Sequence, residues 1–375
     1  MKLVITGGGT GGHTVPAVTI YDAFVERFNS QSDEQFECLY IGSHHGIEKE
    51  VAQQKEINYH AISTGKLRRY FSFENFTDIL KILKGICDAF WKIRSFKPTV
   101  VFSTGGFVSV PVVIASKLLG VPILIHEQTS SIGLANKISG YFAQKIAITF
   151  PSSKKHFPAD KVVHTGQPIR KELFSGTREN CFNTFDLDTN RPLIYITGGS
   201  QGSHKINQAF KEILPDLLTQ SNVIHQCGKT QGHNDFEDLT QFRSQLSDDL
   251  QKRYVIKDFI REELKDILNG CDLLIGRSGA GTVNESMALK VPSIFIPLAI
   301  ATKNEQLQNA QLIASFGGAH IIEEKELTAK LSKEKILSLI LNQSDLNQMK
   351  KSFDGLSSQN AVEHILELVI ALQKK

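Results

Sequence analysis

The residues with the clearest chemical potential lie in two glycine-rich stretches. Residues 7–12 read Gly-Gly-Gly-Thr-Gly-Gly and lead into His13, and residues 198–202 read Gly-Gly-Ser-Gln-Gly. Each follows a β-rich run and precedes an amphipathic helical segment, so backbone N–H groups and a helix dipole would face an anion or a sugar. Because unperturbed imidazole has a pKa of about 6.5, His13 is a candidate general base. The alternative is that His13 is a polar loop residue bonded to backbone.

A third stretch of this kind, residues 271–285, joins a β-rich run to a helical segment through a glycine-containing loop. Its helix N-terminus would also point at phosphate. Glu285, near the start of this helix, allows two interpretations. Its carboxylate could accept both hydroxyls of a ribose, as acidic residues do in nucleotide-binding folds. It could instead form a capping box with Thr282, three residues earlier.

The glycine loops do not match the common nucleotide-binding signatures. Neither glycine-rich stretch reads Gly-x-x-x-x-Gly-Lys-Ser/Thr, and glycine is so dense in residues 7–12 that a match to Gly-x-Gly-x-x-Gly carries little weight. A further glycine turn, residues 103–109, either binds substrate or only turns the chain tightly. The patterns therefore do not indicate an ATPase or a dehydrogenase.

One helical segment combines an apolar stripe with basic and aromatic residues. Residues 76–96 have apolar residues at helical spacing, which is typical of a helix that faces a core. The basic, aromatic run 66–73 precedes it, so Phe71, Phe73 and Trp91 lie among several lysines and arginines. This composition is also that of a segment that rests on anionic lipid. We therefore expect peripheral contact with an anionic membrane surface.

The elements that position these residues alternate along the chain. Such alternation of β-rich runs with helical patterns predicts parallel sheets with helical crossovers, hence two α/β domains of nucleotide-binding type with the ligand between them. Turn formers at residues 165–168 indicate the hinge, and residues 360–372 have the spacing of a docking helix. The predicted strands are residues 3–6, 38–41, 100–103, 123–125, 145–148, 162–164, 193–196, 222–226, 254–257, 273–275, 293–296 and 320–322.

Composition narrows the function classes. With 375 residues and 41% hydrophobic content, the chain is long enough for two buried cores. The net charge of +3 is small against 42 basic and 39 acidic residues, so we expect no bulk binding of nucleic acid. The five cysteines are widely spaced, which indicates a reducing, cytoplasmic setting. We expect neither a secretory leader nor a membrane span, because the sequence begins with a core strand and has no apolar run of about 18 residues.

Several motifs in order resemble the MurG family, the peptidoglycan N-acetylglucosaminyltransferases that convert lipid I to lipid II. The similarity runs from residue 1 to about residue 320. The motifs are residues 8–13 (Gly-Gly-Thr-Gly-Gly-His), 126–128 (His-Glu-Gln), 133–137 (Gly-Leu-Ala-Asn-Lys), 198–202 with Asn207, and 277–285 (Arg-Ser-Gly-Ala-Gly-Thr-Val-Asn-Glu).

The resemblance implies an α/β GT-B architecture, two Rossmann-like parallel-sheet domains that face each other across a cleft. Residues 1–165 would bind the lipid-linked acceptor and the membrane, and residues 166–355 would bind UDP-N-acetylglucosamine. Residues 356–375 would form a helix that docks on the first domain. The family's inverting reaction needs neither a metal nor another cofactor, so we expect none. The setting implied is the cytoplasmic face of the inner membrane, with partner proteins of cell-wall synthesis.

Site residues follow from the same resemblance, position by position. His13 corresponds to the candidate base or to a residue of the acceptor loop, and the glycine loop beside it would shape the acceptor site. Glu285 would bind the ribose, Arg170 would lie near the donor, and the start of a later helix would read the sugar hydroxyls. The residues that would bind substrate are Thr10, Gly11, Gly12, Thr129, Asn136, Arg170, Ser200, Gln201, Asn207, Ala280, Gly281, Glu285, Glu305, Gln306 and Asn309.

Three positions depart from the family pattern. Thr129 and Gln167 replace asparagines that are common in the family, and Glu305 adds a negative charge near the donor sugar.

Three other functions stay open. They are a glycosyltransferase that acts on diacylglycerol or another glycolipid, a UDP-N-acetylglucosamine 2-epimerase, and a subunit that binds a nucleotide sugar without catalysis. An epimerase would act on the donor alone, whereas a transferase needs an acceptor.

Overall fold

The computed structural model describes residues 1–9, 11–30, 35–65, 74–129, 132–199, 201–299, 304–354 and 360–373. The chain divides into two compact units. The first comprises Met1–Ile169 together with Ser358–Lys375, and the second comprises Arg170–Ser357. The C-terminal segment therefore belongs to the first unit, although the second unit separates the two in sequence.

The first unit is built on a seven-stranded parallel sheet with the strand order β3-β2-β1-β4-β5-β6-β7. Because helices cover both faces, the central strands are buried runs without alternation. The strands are β1 (Lys2–Thr6), β2 (Glu37–Ser43), β3 (Asn58–Ile62), β4 (Val100–Ser103), β5 (Ile123–Glu127), β6 (Lys145–Ile148) and β7 (Val162–His164). The helices before residue 165 are α1 (Gly11–Asn29), α2 (Ile47–Gln54), α3 (Glu74–Phe96), α4 (Ser109–Leu118) and α5 (Leu134–Phe142).

The second unit is built on a six-stranded parallel sheet with the strand order β10-β9-β8-β11-β12-β13. Its strands are β8 (Leu193–Thr197), β9 (Asn222–Gln226), β10 (Tyr254–Lys257), β11 (Leu273–Gly276), β12 (Ser293–Phe295) and β13 (Ala319–Ile321). Its helices are α6 (Arg178–Phe185), α7 (His204–Lys211), α8 (Leu214–Gln220), α9 (Asp235–Ser244), α10 (Asp248–Lys252), α11 (Leu264–Gly270), α12 (Ala280–Ala288), α13 (Glu305–Phe316), α14 (Ala329–Ile340) and α15 (Gln343–Ser352).

The chain ends in α16 (Ala361–Gln373), which packs against α1. Four of its side chains, those of Ile365, Leu366, Val369 and Leu372, are buried in one core cluster of the first unit. Phe24 and Phe28 of α1 belong to the same cluster. The apolar face of the final helix thus completes the core on one side of the first sheet.

Both sheets are doubly wound, which confirms the predicted α/β class with two Rossmann-like domains. In each sheet the strand order reverses at one point, between β1 and β4 in the first and between β8 and β11 in the second. Open sheets of this kind bind ligands at the carboxyl edge of the strands, at such a reversal. The loops that follow these four strands are therefore the places where ligand sites are expected.

Candidate functional site

The first glycine loop follows β1 and lies beside the loop that follows β4. Gly7 and Gly9 have positive φ values of 154° and 87°, a backbone region that favours glycine. The Gly8 N–H donates to the carbonyl of Gly105 at 3.3 Å, and the Tyr40 hydroxyl donates to the carbonyl of Gly7. Gly11 and Gly12 then begin α1. The loop is thus fixed by its neighbours on both sides of the reversal, and Thr10 lies outside the described residues.

His13 lies in the first turn of α1 and contacts Thr104 in the neighbouring loop. Its Nδ1 is 2.7 Å from the Thr104 carbonyl oxygen, and the Thr104 hydroxyl donates to the carbonyl of His13 at 2.7 Å. The Thr104 carbonyl can only accept, which requires a proton on Nδ1, whereas the Gln128 amide nitrogen, 2.8 Å from the same atom, can only donate. We assign the proton to Nδ1 on the contact with Thr104, which leaves Nε2 as the basic nitrogen. Burial lowers the pKa of His13, while the hydrogen bond to Thr104 raises it less. The imidazole is therefore neutral at pH 7 and can accept a proton at Nε2.

A chain of side-chain contacts links His13 to the segment that leads out of the first unit. The Gln128 side-chain nitrogen lies 2.8 Å from Nδ1 of His13, and Gln167 donates to Gln128 at 3.5 Å. Thr149 donates to Gln167 at 3.0 Å and lies 3.3 Å from Nε2 of His126. Burial lowers the pKa of His126 to about 4, so this second histidine is neutral and structural at pH 7. Gln167, a departure from the family pattern, thus belongs to the surroundings of the candidate base.

Glu127 organises the loop that follows β5. Its carboxylate accepts from the Thr129 N–H at 3.0 Å, from the Thr129 hydroxyl at 2.7 Å and from the Asn136 side chain at 3.0 Å. The Asn136 amide also donates to the His126 carbonyl at 3.1 Å, and its buried oxygen has no partner among the described residues. Thr129 and Asn136 are therefore brought together by Glu127. Glu127 belongs to the His-Glu-Gln motif, but the motif does not predict its hydrogen bonds with Thr129 and Asn136, which only the folded structure reveals.

In the second unit, the N–H of Gly199 in the loop after β8 donates to the Thr197 hydroxyl at 3.0 Å. Gln201 lies exposed in the following turn, and Ser200 lies outside the described residues. Asn207 is fully buried in α7. Its amide donates to the Cys227 carbonyl at 3.0 Å and to Asp235 at 2.8 Å. Asn207 therefore joins α7 to the segment after β9 and supports the loop from behind.

The loop after β11 leads into α12, whose N-cap is Gly279. No other part of the described chain would lie within 4 Å of a Cβ added at Gly279 or Gly281, so the start of this helix is open. Because the helix begins at Ala280, Thr282 is not its N-cap, and no side chain caps it. The capping-box interpretation of Thr282 and Glu285 is therefore wrong.

Glu285 instead pairs with Arg170. Oε1 of Glu285 is 3.5 Å from a terminal nitrogen of Arg170, and 19% of the glutamate side chain is exposed. Burial raises the pKa of the Glu285 carboxyl, and Arg170 opposes this rise. The Nε of Arg170 is buried without a partner among the described residues. The pair therefore offers one acceptor group and one donor group beside the open start of α12.

Arg277 joins three loops of the second sheet. It donates to the Ile296 carbonyl at 3.0 Å and to the hydroxyl of Ser203, the N-cap of α7, at 2.8 Å. It also pairs with Glu324, which follows β13. Lys205 lies 3.4 Å from the same carboxylate. Arg277 is a residue of the recognised motif, but its partner Glu324 is 47 positions away, so only the fold reveals the pair.

The start of α13 lies beside the loop after β11. The Ser278 hydroxyl donates to the carbonyl of Gln306 at 2.8 Å, and the Asn309 side chain donates to the carbonyl of Ser278 at 3.2 Å. The Gln306 side chain accepts from the Leu298 N–H at 3.0 Å. Glu305 is exposed at the first position of the helix. Ala280, Gly281, Gln306 and Asn309 are thus on adjacent segments of the second unit.

The described part of the chain offers no group of three or more His, Cys, Asp or Glu side chains that could hold a metal ion. Within the same residues, no helix is long and apolar enough to cross a membrane. The side chains and helix starts described above can supply chemistry of two kinds. The first unit has a neutral imidazole with a basic Nε2, and the second has helix N-termini, a guanidinium and a carboxylate suited to a sugar nucleotide.

The chain is similar to known glycosyltransferases along nearly its whole length. Residues 3–148 match the glycosyltransferase family 28 N-terminal domain, and residues 193–367 match the glycosyltransferase family 28 C-terminal domain. The UDP-N-acetylglucosamine--N-acetylmuramyl-(pentapeptide) pyrophosphoryl-undecaprenol N-acetylglucosamine transferase 3 of Bacillus thuringiensis (strain Al Hakam) is 38% identical over 370 residues, which is 98% of this chain and 99% of that protein. A transferase of Clostridium novyi (strain NT) has the same description except for the final 3. It is 37% identical to this chain, over 100% of this chain and 99% of its own length.

Solved structures give the same result for the fold. The crystal structure of Acinetobacter baumannii MurG matches with a TM-score of 0.74 and 25% identity, and the match covers 99% of each chain. The UDP-GlcNAc 2-epimerase from Neisseria meningitidis bound to UDP-GlcNAc matches with a TM-score of 0.68 and 14% identity over 99% of this chain and 100% of that one. The second likeness shows a shared fold only.

Proposed function

The chain belongs to glycosyltransferase family 28, and from this premise we propose that it transfers N-acetylglucosamine from UDP-N-acetylglucosamine to the 4-hydroxyl of N-acetylmuramic acid in lipid I. The product is lipid II, a precursor of peptidoglycan. The observation that carries the proposal is 38% identity, over 98% of the chain, to a transferase named for this reaction. The neutral His13 beside the first glycine loop agrees with it.

In the proposed reaction, Nε2 of His13 takes the proton from the acceptor hydroxyl. The hydroxyl oxygen attacks the anomeric carbon of the donor sugar, and the bond from that carbon to the diphosphate breaks as UDP leaves with the electron pair. One displacement inverts the anomeric configuration. His13 is suited to this step because its Nδ1 proton is bound to the Thr104 carbonyl, which directs the lone pair of Nε2 away from that contact.

The donor is assigned to the second unit. Glu285 would accept the ribose hydroxyls, and Arg170 would bind near the diphosphate. The open start of α12, with Ala280 and Gly281, would bind phosphate through its N–H groups. The remaining donor contacts are assigned to Ser200, Gln201, Glu305, Gln306 and Asn309, with Asn207 supporting the loop. In the first unit Thr10, Gly11, Gly12, Thr129 and Asn136 are assigned to the acceptor.

Excess chelator is expected to leave transfer within about twofold of its original rate. The reason is that helix N–H groups and Arg170 are proposed to stabilise the departing diphosphate by preorganised electrostatics. The measurement is the initial rate with and without EDTA, after dialysis against the chelator. Complete loss of activity that magnesium restores would contradict this prediction.

The function is tested by incubating the protein with UDP-N-acetylglucosamine and a short-chain lipid I analogue. Formation of the disaccharide product with release of UDP is the expected result. Diacylglycerol in place of the analogue tests the alternative glycolipid acceptor. The donor alone tests the epimerase, because that reaction needs no acceptor. A product in either of these two arms, with none from lipid I, would overturn the proposal.

Contact with the cytoplasmic face of the inner membrane is assigned to α3. Four large apolar side chains of this helix are 50–68% exposed. Lys81, Lys84 and Arg94 are exposed on the same helix. Apolar side chains surrounded by basic groups suit the boundary of an anionic bilayer. Phe71 and Phe73, the other aromatic residues expected to contribute, lie outside the described residues. The four apolar side chains are those of Ile79, Leu80, Leu83 and Trp91.

The double variant Leu80→Ser, Trp91→Ser is expected to lower co-sedimentation with anionic vesicles by about tenfold or more, because burial of each large apolar side chain contributes about 1.5–3 kcal/mol. Thermal stability and transfer to a water-soluble acceptor should stay unchanged, since both side chains are exposed. Leu341→Ser, which changes a 61% exposed leucine of the second unit, is the control. Equal vesicle binding by the double variant and the control would remove α3 from the membrane contact.

A further inference from the structure

A buried carboxylate lies directly behind the first glycine loop. Glu48, in the first turn of α2, is 0% exposed. One of its oxygens accepts from the N–H of Gly9 at 3.1 Å. The other accepts from the N–H of Ser43 at 3.1 Å and from the Ser43 hydroxyl at 2.5 Å. Glu48 therefore joins the loop after β1 to the end of β2, although it belongs to neither.

The space for this carboxylate is made by glycines. A Cβ added at Gly8 would lie 2.4 Å from the carboxyl carbon of Glu48, and one added at Gly46 would lie 2.1 Å from its oxygens. At Gly42 an added Cβ would lie 2.9 Å from Cγ of Glu48. Real Cβ atoms do not approach other atoms so closely. The space that the Glu48 side chain occupies thus exists because three glycines, from three segments, have no side chain.

The carboxylate determines how much freedom the loop has. Gly7 and Gly9 adopt positive φ values, and glycine loses more conformational entropy on ordering than any other residue. The loop therefore needs contacts that fix its conformation. Tyr40 donates to the Gly7 carbonyl and the Gly105 carbonyl accepts from Gly8, and Glu48 provides the contact for Gly9, the last glycine before α1 begins at Gly11.

We infer that Glu48 is a positioning residue for the acceptor: it fixes the Gly9 amide and so holds the loop and the adjacent start of α1, with His13, in the conformation that receives the acceptor. Glu48 does not contact substrate, because it is fully buried behind the loop. The inference rests on the proposed function in one respect, the assignment of this loop to the acceptor.

Glu48→Gln is the sharpest variant because it keeps the size of the side chain. A glutamine has one acceptor oxygen and one donor nitrogen, so in either orientation one backbone N–H, that of Gly9 or that of Ser43, faces a donor. Losing a hydrogen bond to a charged group in a buried site is expected to lower kcat/KM for the acceptor by about tenfold or more. The KM for UDP-N-acetylglucosamine and the affinity for UDP should stay within about twofold, because the donor is assigned to the second unit.

Glu50→Gln is the matched control. Glu50 is the other acidic residue in the first turn of α2, but it is exposed. Both substitutions remove a carboxyl group from the first turn of the same helix, so Glu50→Gln controls for the loss of an acidic group at that helix start. Glu48→Asp is the second variant. It keeps the carboxyl group but is too short to reach both Gly9 and Ser43, so we expect it to lower kcat/KM for the acceptor as Glu48→Gln does.

Hydrogen exchange of the peptide that contains Gly9 separates this inference from the proposed function. Faster exchange in Glu48→Gln than in Glu50→Gln, with a selective loss of kcat/KM for the acceptor, would support it. If the wild-type protein transfers nothing to lipid I, the proposed function fails, and the exchange of this peptide still decides whether Glu48 fixes the loop. Unchanged exchange would overturn the inference. So would a lower melting temperature accompanied by an equal loss of donor and acceptor affinity.

Discussion

Replacing His13 with alanine is expected to lower turnover about 100-fold or more, the usual contribution of acid–base assistance. The affinity for UDP should stay within about twofold, because the residues proposed to bind the donor belong to the second unit. His13→Asn is the more informative variant: its side-chain N–H can replace the Nδ1 donor to the Thr104 carbonyl, but it has no basic nitrogen. Both variants should show similar losses if the lone pair of Nε2 accepts the proton.

The pH dependence follows from the direction of the pKa shift. Burial lowers the pKa of His13 below its ordinary value of 6.5, so the neutral base persists to a lower pH than a free imidazole would. As the pH falls through the lowered pKa, Nε2 gains a proton and turnover decreases. The acid limb of the kcat/KM profile, which reports the free enzyme, should therefore have its midpoint below about 6.5 and should be absent in His13→Asn. His45→Ala changes an exposed histidine and is the control. A His13→Ala turnover within threefold of wild type would place the base elsewhere.

Glu285→Gln is expected to weaken binding of UDP-N-acetylglucosamine by roughly 10- to 150-fold, which corresponds to about 1.5–3 kcal/mol for hydrogen bonds to a charged group. The variant should also lose much of its preference for UDP over the 2′-deoxy analogue, because the partner of that hydroxyl is weakened. Thermal stability should hardly change, since Glu285 caps no helix and burial already disfavours its charge. Isothermal titration with both nucleotides measures the effect.

The control for Glu285 is Glu323→Gln, which removes a half-buried carboxylate paired with Lys325 in the same unit. Unchanged discrimination against the 2′-deoxy analogue in Glu285→Gln would exclude the ribose contact. A loss of nucleotide affinity without a loss of discrimination would indicate that the charge acts through Arg170, its partner at 3.5 Å.

Much of the fold can be predicted from the sequence because parallel strands buried on both faces read as apolar runs. Strand β4 (Val100–Ser103) and strand β9 (Asn222–Gln226) have the predicted bounds. Strand β3 is not predicted: it reads Asn-Tyr-His-Ala-Ile, and only Ile62 is fully buried. An edge position needs no continuous apolar run, so the hydrophobic pattern is weak there. The resemblance to the MurG family is confirmed by relatives 38% identical along nearly the whole chain.

The candidate site is harder to predict from the sequence than the fold is, because its contacts join residues that are far apart along the chain. His13 is recognised from its loop, but the Thr104 carbonyl that determines its tautomer is a backbone atom 91 positions away and carries no side-chain signal. Glu48 resembles any acidic residue at a helix start until the glycines around it are seen. The spacing of Thr282 and Glu285 suggests a cap, but the helix begins earlier, at Ala280 after the N-cap Gly279, and Glu285 pairs with Arg170.

The packing of α16 on α1 has a consequence for the order in which the two units fold during synthesis. The second unit lies in sequence between the parts of the first, so all of its strands leave the ribosome before Ile365 and Leu372 exist. Chains usually fold from the N-terminus as they emerge. Here the second unit can complete its core first, while the nascent first unit leaves Phe24 and Phe28 without the apolar side chains of the final helix. The sheet of the first unit is synthesised first, but the core on one of its faces is therefore completed last.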